Sequence, residues 1–291
     1  MKIDMHVHCL NQSGSSAPQT SMRYPDSNKI QAHLESQNIC HAVIMSTGQL
    51  GEKESNLSSL EIVRNNPDFY SWMCSFSPDS DVPVFQRMQY YKQQGAIGVG
   101  ELTANEWMDS PFLTSVFEAA QDLELPVTIH MSPEPGFQYG VCDRPGLPLL
   151  EKTLQKFPEL KILGHSQTFW IEISGDCPRE RNEARYQWGS GPIVPGGRLL
   201  YLFRRYPNLY GDLSAFSGSC AIMRDPAFGL SFLEEFSDRL FFATDTVDNK
   251  QIFPLGKFLD DSLSNEMLSP NAYENICFRN AQRIFNIARQ R

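Results

Sequence analysis

Short runs of β-branched and aromatic residues alternate along the chain with longer stretches of mixed polar and apolar residues. The runs are KIDMHVH at 2–8, AVIMS at 42–46, FYSWMCS at 69–75, AIGVGEL at 96–102, PVTIHM at 126–131, KILGHS at 161–166, LYGDLS at 209–214 and RLFFATD at 239–245. Their length and composition predict eight strands. The stretches at 27–38, 53–65, 82–94, 110–124, 146–157, 195–206, 226–237 and 271–286 predict helices. Several close on a proline phrase, as in NNPDF, KFPELK and RYPNLY. Proline cannot continue a helix, so each phrase stops one element and launches the next strand. Strands alternating with helices predict parallel pairing, and eight such units predict an α/β fold of the (β/α)8 TIM-barrel type. The competing arrangement is an open doubly wound sheet. Against it, the chain has no Gly-rich loop after the first strand and no GxxxxGK[ST] phosphate loop.

At 291 residues the chain has the length of one barrel, which predicts a single domain over 1–291. Two connections are too long to be simple turns. Residues 9–26 are polar and rich in Ser and Pro, and 167–196 are rich in Gly, Pro, Arg and Trp. Both follow the carboxyl end of a strand, the face where a barrel carries its site, so both are expected to be substrate loops.

Charge narrows the partners. Lys and Arg number 25 against 34 Asp and Glu, a formal net charge of -9, and no basic run occurs. Such a surface repels a nucleic acid backbone, so no nucleic-acid partner is expected. The opening MKIDMHVHCL lacks the apolar stretch of a signal peptide, and no window is long and apolar enough for a membrane span. The seven cysteines are scattered, odd in number and without a CxxC pair, which fits a reducing cytoplasm and argues against a thiolate zinc site.

The chemistry lies at strand ends. Of six histidines, His6, His8, His130 and His165 sit at or near the end of a predicted strand. His6 and His8 are two apart, so both rings face the same side. Two imidazoles facing a barrel interior need partners, and a metal supplies one. Glu101 ends AIGVGE and Asp245 ends LFFATD. Taken singly, each has a plainer use: a hydrogen-bonded rim histidine, a salt-bridge carboxylate, a helix cap. Their coincidence at one face of five strands favours a metal site. Four neutral nitrogens and two carboxylates suit zinc first, with manganese, nickel or iron also compatible, as one or two ions. His33, within a helix, and His41, before the second strand, read as structural or exposed.

These pieces resemble the amidohydrolase superfamily, in particular its amidohydrolase-related branch. The resemblance is carried by DMHVH at 4–8, Glu101, TIH at 128–130, LGH at 163–165, YPNLYGDLSA at 206–215, FFATDT at 241–246 and ENICFRNAQRIF at 274–285. It implies that His6, His8 and Asp245 hold a deeper metal, that His130 and His165 hold a second, and that Glu101 bridges them, as a Glu does in TatD-type members. It also implies a water-derived hydroxide as nucleophile and Asp245 as ligand and general base. The expected reaction is hydrolysis of an amide, ester, lactone or phosphoester of a small molecule. The alternative within the branch is a single-metal decarboxylase of unsaturated or aromatic acids, with His165 as acid or base and Glu101 a bystander. A barrel that kept the ligands but lost catalysis, and a TatD-like nuclease, are the remaining classes.

Around the ligands, Asp4 is placed to orient an imidazole or to sit lower in the barrel. Arg144, Trp170, Arg179, Arg181, Arg185, Tyr186 and Trp188 are candidates for substrate contact, and an Arg among them would grip an anionic group. Ser214, Thr244 and Thr246 lie near the mouth. A homodimer is the commonest assembly for such proteins.

Overall fold

The structure, a computed structural model, describes residues 1–10, 26–46, 51–180 and 182–287. Most of the 9–26 connection and Arg181 therefore lie outside the described residues. Eight strands run in the predicted order: β1 (Lys2–Val7), β2 (Ile39–Met45), β3 (Tyr70–Met73), β4 (Val99–Leu102), β5 (Val127–Ser132), β6 (Ile162–His165), β7 (Leu209–Asp212) and β8 (Leu240–Phe241). All neighbouring pairs are parallel, in one sheet of β1–β2–β3 and one of β4 through β8. A two-residue strand, Val141–Cys142, adds to the end of β5.

Backbone hydrogen bonds close the ring at both seams. Between β3 and β4, the Cys74 N–H donates to Gly98 O (3.0 Å) and the Gly100 N–H to Cys74 O (2.9 Å). Between the segment after β8 and β1, Met5 N–H donates to Phe242 O (3.1 Å), Asp245 N–H to His6 O (2.8 Å) and His8 N–H to Thr246 O (2.9 Å). The expected (β/α)8 barrel is therefore formed.

Outside the strands, residues such as Ile44, Trp72, Val127 and Ile162 pack on Leu34, Leu60, Phe117, Leu150 and Phe203 from the surrounding helices. A second apolar cluster gathers Ile3, Val43, Met73, Leu163, Tyr210 and Phe241, with Phe285 and Ile287. Its members come from strands of both sheets, on opposite sides of the ring, so they meet inside the barrel. The polar site must then lie at the other end, where the strands run out. The helices Ser27–Glu35 and Pro111–Asp122 start on the side-chain caps of Asp26 and Ser110, which satisfy otherwise open N–H groups.

Three details depart from the sequence-based expectations. The last predicted strand, 239–245, is regular only at Leu240–Phe241, and its remainder holds β1 through the seam bonds above. Two further helices, Ala215–Met223 and Leu255–Ser264, fill connections that carried no predicted element. The first is AFSGSCAIM, whose Ser and Gly are weak helix formers, so packing and not propensity forms it. The 167–196 connection is partly structured by short helices at Gln167–Trp170 and Asn182–Arg185. No helix among the described residues is long and apolar enough to cross a membrane.

Candidate metal centre

β1 delivers His6 and His8 to the carboxyl end of the barrel, with ring centroids 5.0 Å apart. Their Nε2 atoms face each other at 3.1 Å. What lies behind each ring sets its tautomer. His6 Nδ1 is 2.6 Å from Asp212 Oδ2, a carboxylate at the end of β7, and therefore donates. His8 Nδ1 is 3.3 Å from the Met45 carbonyl oxygen, which only accepts, so it donates too. With a proton on each Nδ1, both rings turn their Nε2 atoms toward one point. Asp245 Oδ1 approaches the same point, 3.5 Å from His6 Nε2 and 3.2 Å from His8 Nε2. Two lone pairs and a carboxylate converging in this way require a proton or a cation between them. The donor set is one that divalent transition metals take.

The backbone places Asp245 there by turning left-handed, with φ 59°, a conformation Asp tolerates better than most residues. Of the candidate ligands it is the most accessible, its side chain 24% exposed while those of His6, His8, His165 and Glu101 are 6% or less.

The second group faces the first. Glu101, from β4, lies 2.6 Å from His130 Nδ1 on β5 and 3.6 Å from His165 Nε2 on β6. Its oxygens also approach His6 Nε2 at 4.0 Å and His8 Nε2 at 3.8 Å. Glu101, His130 and His165 offer ligand atoms close enough together for one ion, as do His6, His8 and Asp245. The chemistry of the two sets differs. The Glu101–His130 contact is a hydrogen bond, and an ion there requires Nδ1 to release its proton. On its other side, His130 Nε2 lies 3.5 Å from the Tyr186 hydroxyl, and Tyr139 lies over the ring at 4.4 Å.

Glycine permits the close approaches. A Cβ on Gly140, which has φ +115°, would meet His130 Cδ2 at 2.8 Å. One on Gly164 would meet the Phe169 ring at 2.2 Å, beside His165.

Electrostatics agree with a site built for positive charge. Burial alone would lower the pKa of His6, but the carboxylates of Asp212, Asp245 and Glu101 reverse this and raise it to about 10. His165 goes the other way: burial lowers it to about 4, Asp212 opposes, and the charge on His6 adds to the lowering. Burial would raise Glu101, yet His130, His6 and His165 hold its carboxyl well below the usual range. Asp245 and Asp212 are likewise held low against burial, His6 being the main cause in each.

The sequence profile of the amidohydrolase family matches residues 3–287. The chain belongs to the amidohydrolase family. As a member it is an enzyme of a metal-dependent class. Three solved structures share its architecture. A 5-carboxyvanillate decarboxylase from Novosphingobium aromaticivorans, complexed with manganese and 4-hydroxy-3-methoxy-5-nitrobenzoic acid, is 14% identical with a TM-score of 0.67, covering 99% of this chain and 96% of that one. A probable 2-pyrone-4,6-dicarboxylic acid hydrolase from Acinetobacter baumannii, with citric acid bound, is 16% identical with a TM-score of 0.62, covering 98% and 99%. The 2,6-dihydroxybenzoate decarboxylase from Rhizobium is 13% identical with a TM-score of 0.61, covering 98% of each chain. Among curated proteins none matches.

The amidohydrolase fold thus brings all six expected ligand residues, His6, His8, Glu101, His130, His165 and Asp245, into one cluster. It treats the other candidates differently. Asp4 touches no imidazole ring: its carboxylate accepts from Thr244 N–H (2.9 Å), Thr244 Oγ1 (2.6 Å) and His6 N–H (3.1 Å), which fixes β1 to the segment after β8. Thr246 Oγ1 joins that network through Thr244 at 2.8 Å. Arg185 does not reach into the mouth. It is buried, its Nη1 donating to the carbonyls of Asp143 (3.0 Å) and Pro133 (3.4 Å), and so holds the loop after β5. Arg144 lies over Trp107 at 4.7 Å. Trp170 is buried, donating from Nε1 to Asp212 O at 2.9 Å. Arg179 and Trp188 are exposed. His33 Nε2 lies 2.6 Å from Gln251 O and His41 Nε2 lies 2.9 Å from Ser71 Oγ.

Sequence reasoning did not single out Asp212, and it took in Tyr139 only as part of the candidate substrate segment MSPEPGFQYG at 131–140. Asp212 had a signal, since LYGDLS ends a strand in a polar residue as the ligand strands do. Tyr139 had none beyond its place in the loop after His130.

Proposed function

We propose that this amidohydrolase is a hydrolase with two divalent ions, zinc first among the candidates. His6, His8 and Asp245 would hold one ion and His130 and His165 the other, with Glu101 placed to serve either. The observation that carries this reading is the position of Glu101, within 4.0 Å of His6, His8, His130 and His165. When bound, such ions make water a nucleophile near neutral pH and polarise the bond under attack.

The chain's own residues do the rest. Asp245, ionised and the most exposed of the group, takes the proton of the attacking water and delivers it to the leaving group. Tyr186, whose hydroxyl burial and the charges of Glu101 and Asp245 push up to about 12, stays protonated and can donate to a substrate oxygen. The buried walls exclude bulk water from the ligands. The substrate is a small molecule carrying an amide, ester, lactone or phosphoester bond. The carboxylate-bearing ligands named in two of the similar structures make an anionic substrate the first class to screen.

The second reading is a decarboxylase with one ion on His6, His8, His130 and Asp245 and with His165 as acid or base. It is favoured by the barrel shared with the manganese-containing decarboxylase. Metal content of wild type and Glu101→Ala separates the two. Two ions falling to one support the hydrolase. One ion in both removes the bridging role and turns the substrate screen to unsaturated and aromatic acids.

A further inference from the structure

A strand that bears none of the six ligands, β7, carries a carboxylate serving two of them. We infer that Asp212, with Ser214 two residues on, is a positioning pair that turns the Nε2 lone pairs of both His6 and His165 toward the ions; the inference rests on the metal-binding reading above. Asp212 is 1% exposed and Ser214 fully buried. Oδ2 accepts from His6 Nδ1 at 2.6 Å and lies 3.7 Å from His165 Nδ1. Oδ1 accepts the Ser214 N–H at 2.9 Å, and Ser214 Oγ sits 2.8 Å from His165 Nδ1. The Asp212 carbonyl is fixed separately by the Trp170 indole.

The contact behind His6 has one consistent proton assignment. A carboxylate only accepts, so His6 carries its proton on Nδ1. His165 lies near the same negative charge, which favours its proton on Nδ1 as well, donated to Ser214 Oγ. Both Nε2 atoms are then free for a cation. His6 and His165 belong to different ligand sets, so one carboxylate governs an imidazole in each. The three residues His6, His165 and Asp212 also lie close enough to hold an ion themselves. Their network is already complete without one: Ser214 occupies His165 Nδ1 and the second Asp212 oxygen. They are better read as the layer behind the ligands, where such partners typically govern metal affinity.

Asp212→Asn tests the direction of this control. The asparagine keeps the size and can keep the oxygen that accepts from Ser214 N–H. Its amide then faces His6 Nδ1 with a donor, which forces the His6 proton onto Nε2, where the cation should bind. Ser214→Ala removes only the hydroxyl serving His165.

Cobalt(II) titration of the full chain, followed by visible absorption and by metal content, reads both. Asp212→Asn should lower affinity for the first cobalt ion by about 10–100-fold and change the absorption intensity. Ser214→Ala should leave that first affinity within about twofold and weaken the second ion. Folded Asp212→Asn that binds cobalt within twofold of wild type, with the same spectrum, overturns the inference. If Asp212→Asn fails to fold, Ser214→Ala decides: unchanged binding of both ions overturns it. A wild type that takes up a single ion sinks the two-ion reading, while a loss of that ion's affinity in Asp212→Asn still supports Asp212 as the positioning residue for His6.

Discussion

The two ligand sets of the centre are built differently although they share one pocket. Around His6, His8 and Asp245, every ligand is held by the barrel itself: Asp212 stands behind the His6 ring, the Met45 carbonyl behind the His8 ring, and the Asp245 N–H is fixed by its seam bond to His6 O. The lone pairs already converge. Around Glu101, His130 and His165, two ligands hold each other through a 2.6 Å hydrogen bond, and the outer side of His130 rests on loop residues Tyr186 and Tyr139. The first set is prepared for a cation by strands. The second must release a proton and depends on the connections that follow β5 and β6. Preorganisation of this kind decides affinity more than ligand count does.

Four measurements break or sharpen the contrast. The largest effect is expected at the strand-held set: Asp245→Asn should lower kcat by about 10²–10⁴-fold with the fold intact, as loss of a general base does. A smaller loss would move the proton-transfer role elsewhere. Glu101→Gln comes next. It should cost the second ion while the first is retained within about threefold in Kd, measured by competition with a chromophoric chelator. Equal loss of both ions would end the distinction between the sets.

Tyr186→Phe should lower kcat by about two- to tenfold, the size of one hydrogen bond, with metal content unchanged. Lost metal would instead make Tyr186 a support for His130.

The smallest effect concerns the loop that follows β5. Asp143 accepts the N–H groups of Leu149 and Leu150, at 3.1 and 2.8 Å, at the start of the helix Pro148–Lys156. Burial raises its pKa to about 6 despite these bonds. A carboxyl whose folded pKa exceeds its unfolded value near 3.8 stabilises the fold more as it protonates. Relative to Asp143→Asn, wild type should therefore gain stability as pH falls from about 6 toward 4. Urea denaturation of both proteins at several pH values checks the sign, and an opposite slope would refute the assignment.

Much of this was legible in the sequence because barrel geometry is local at each strand. A strand alternates its side chains, so HVH places two rings on one face wherever that strand lies. An apolar run that stops at Glu101, His130, His165 or Asp245 marks the carboxyl end where a parallel strand meets its loop. What was not legible depends on distance across the ring. Asp212 is 206 residues from His6, and Asp4 is 240 from Thr244, so neither pairing has a spacing to read. Arg185 looked like an anion grip because a loop arginine usually faces solvent. The fold instead buries it to satisfy two carbonyls of the loop after β5.

The sequence by itself determined the order of the strands, the barrel, the family and the six residues that meet at its mouth. Each rests on periodicity or on a motif within a few neighbouring residues. Only the tertiary structure decided which nitrogen of each imidazole faces inward, which carboxylate stands behind it and which loop residue covers it. Those are contacts between strands far apart in the chain, fixed when the ring closes and the buried donors and acceptors must all find partners.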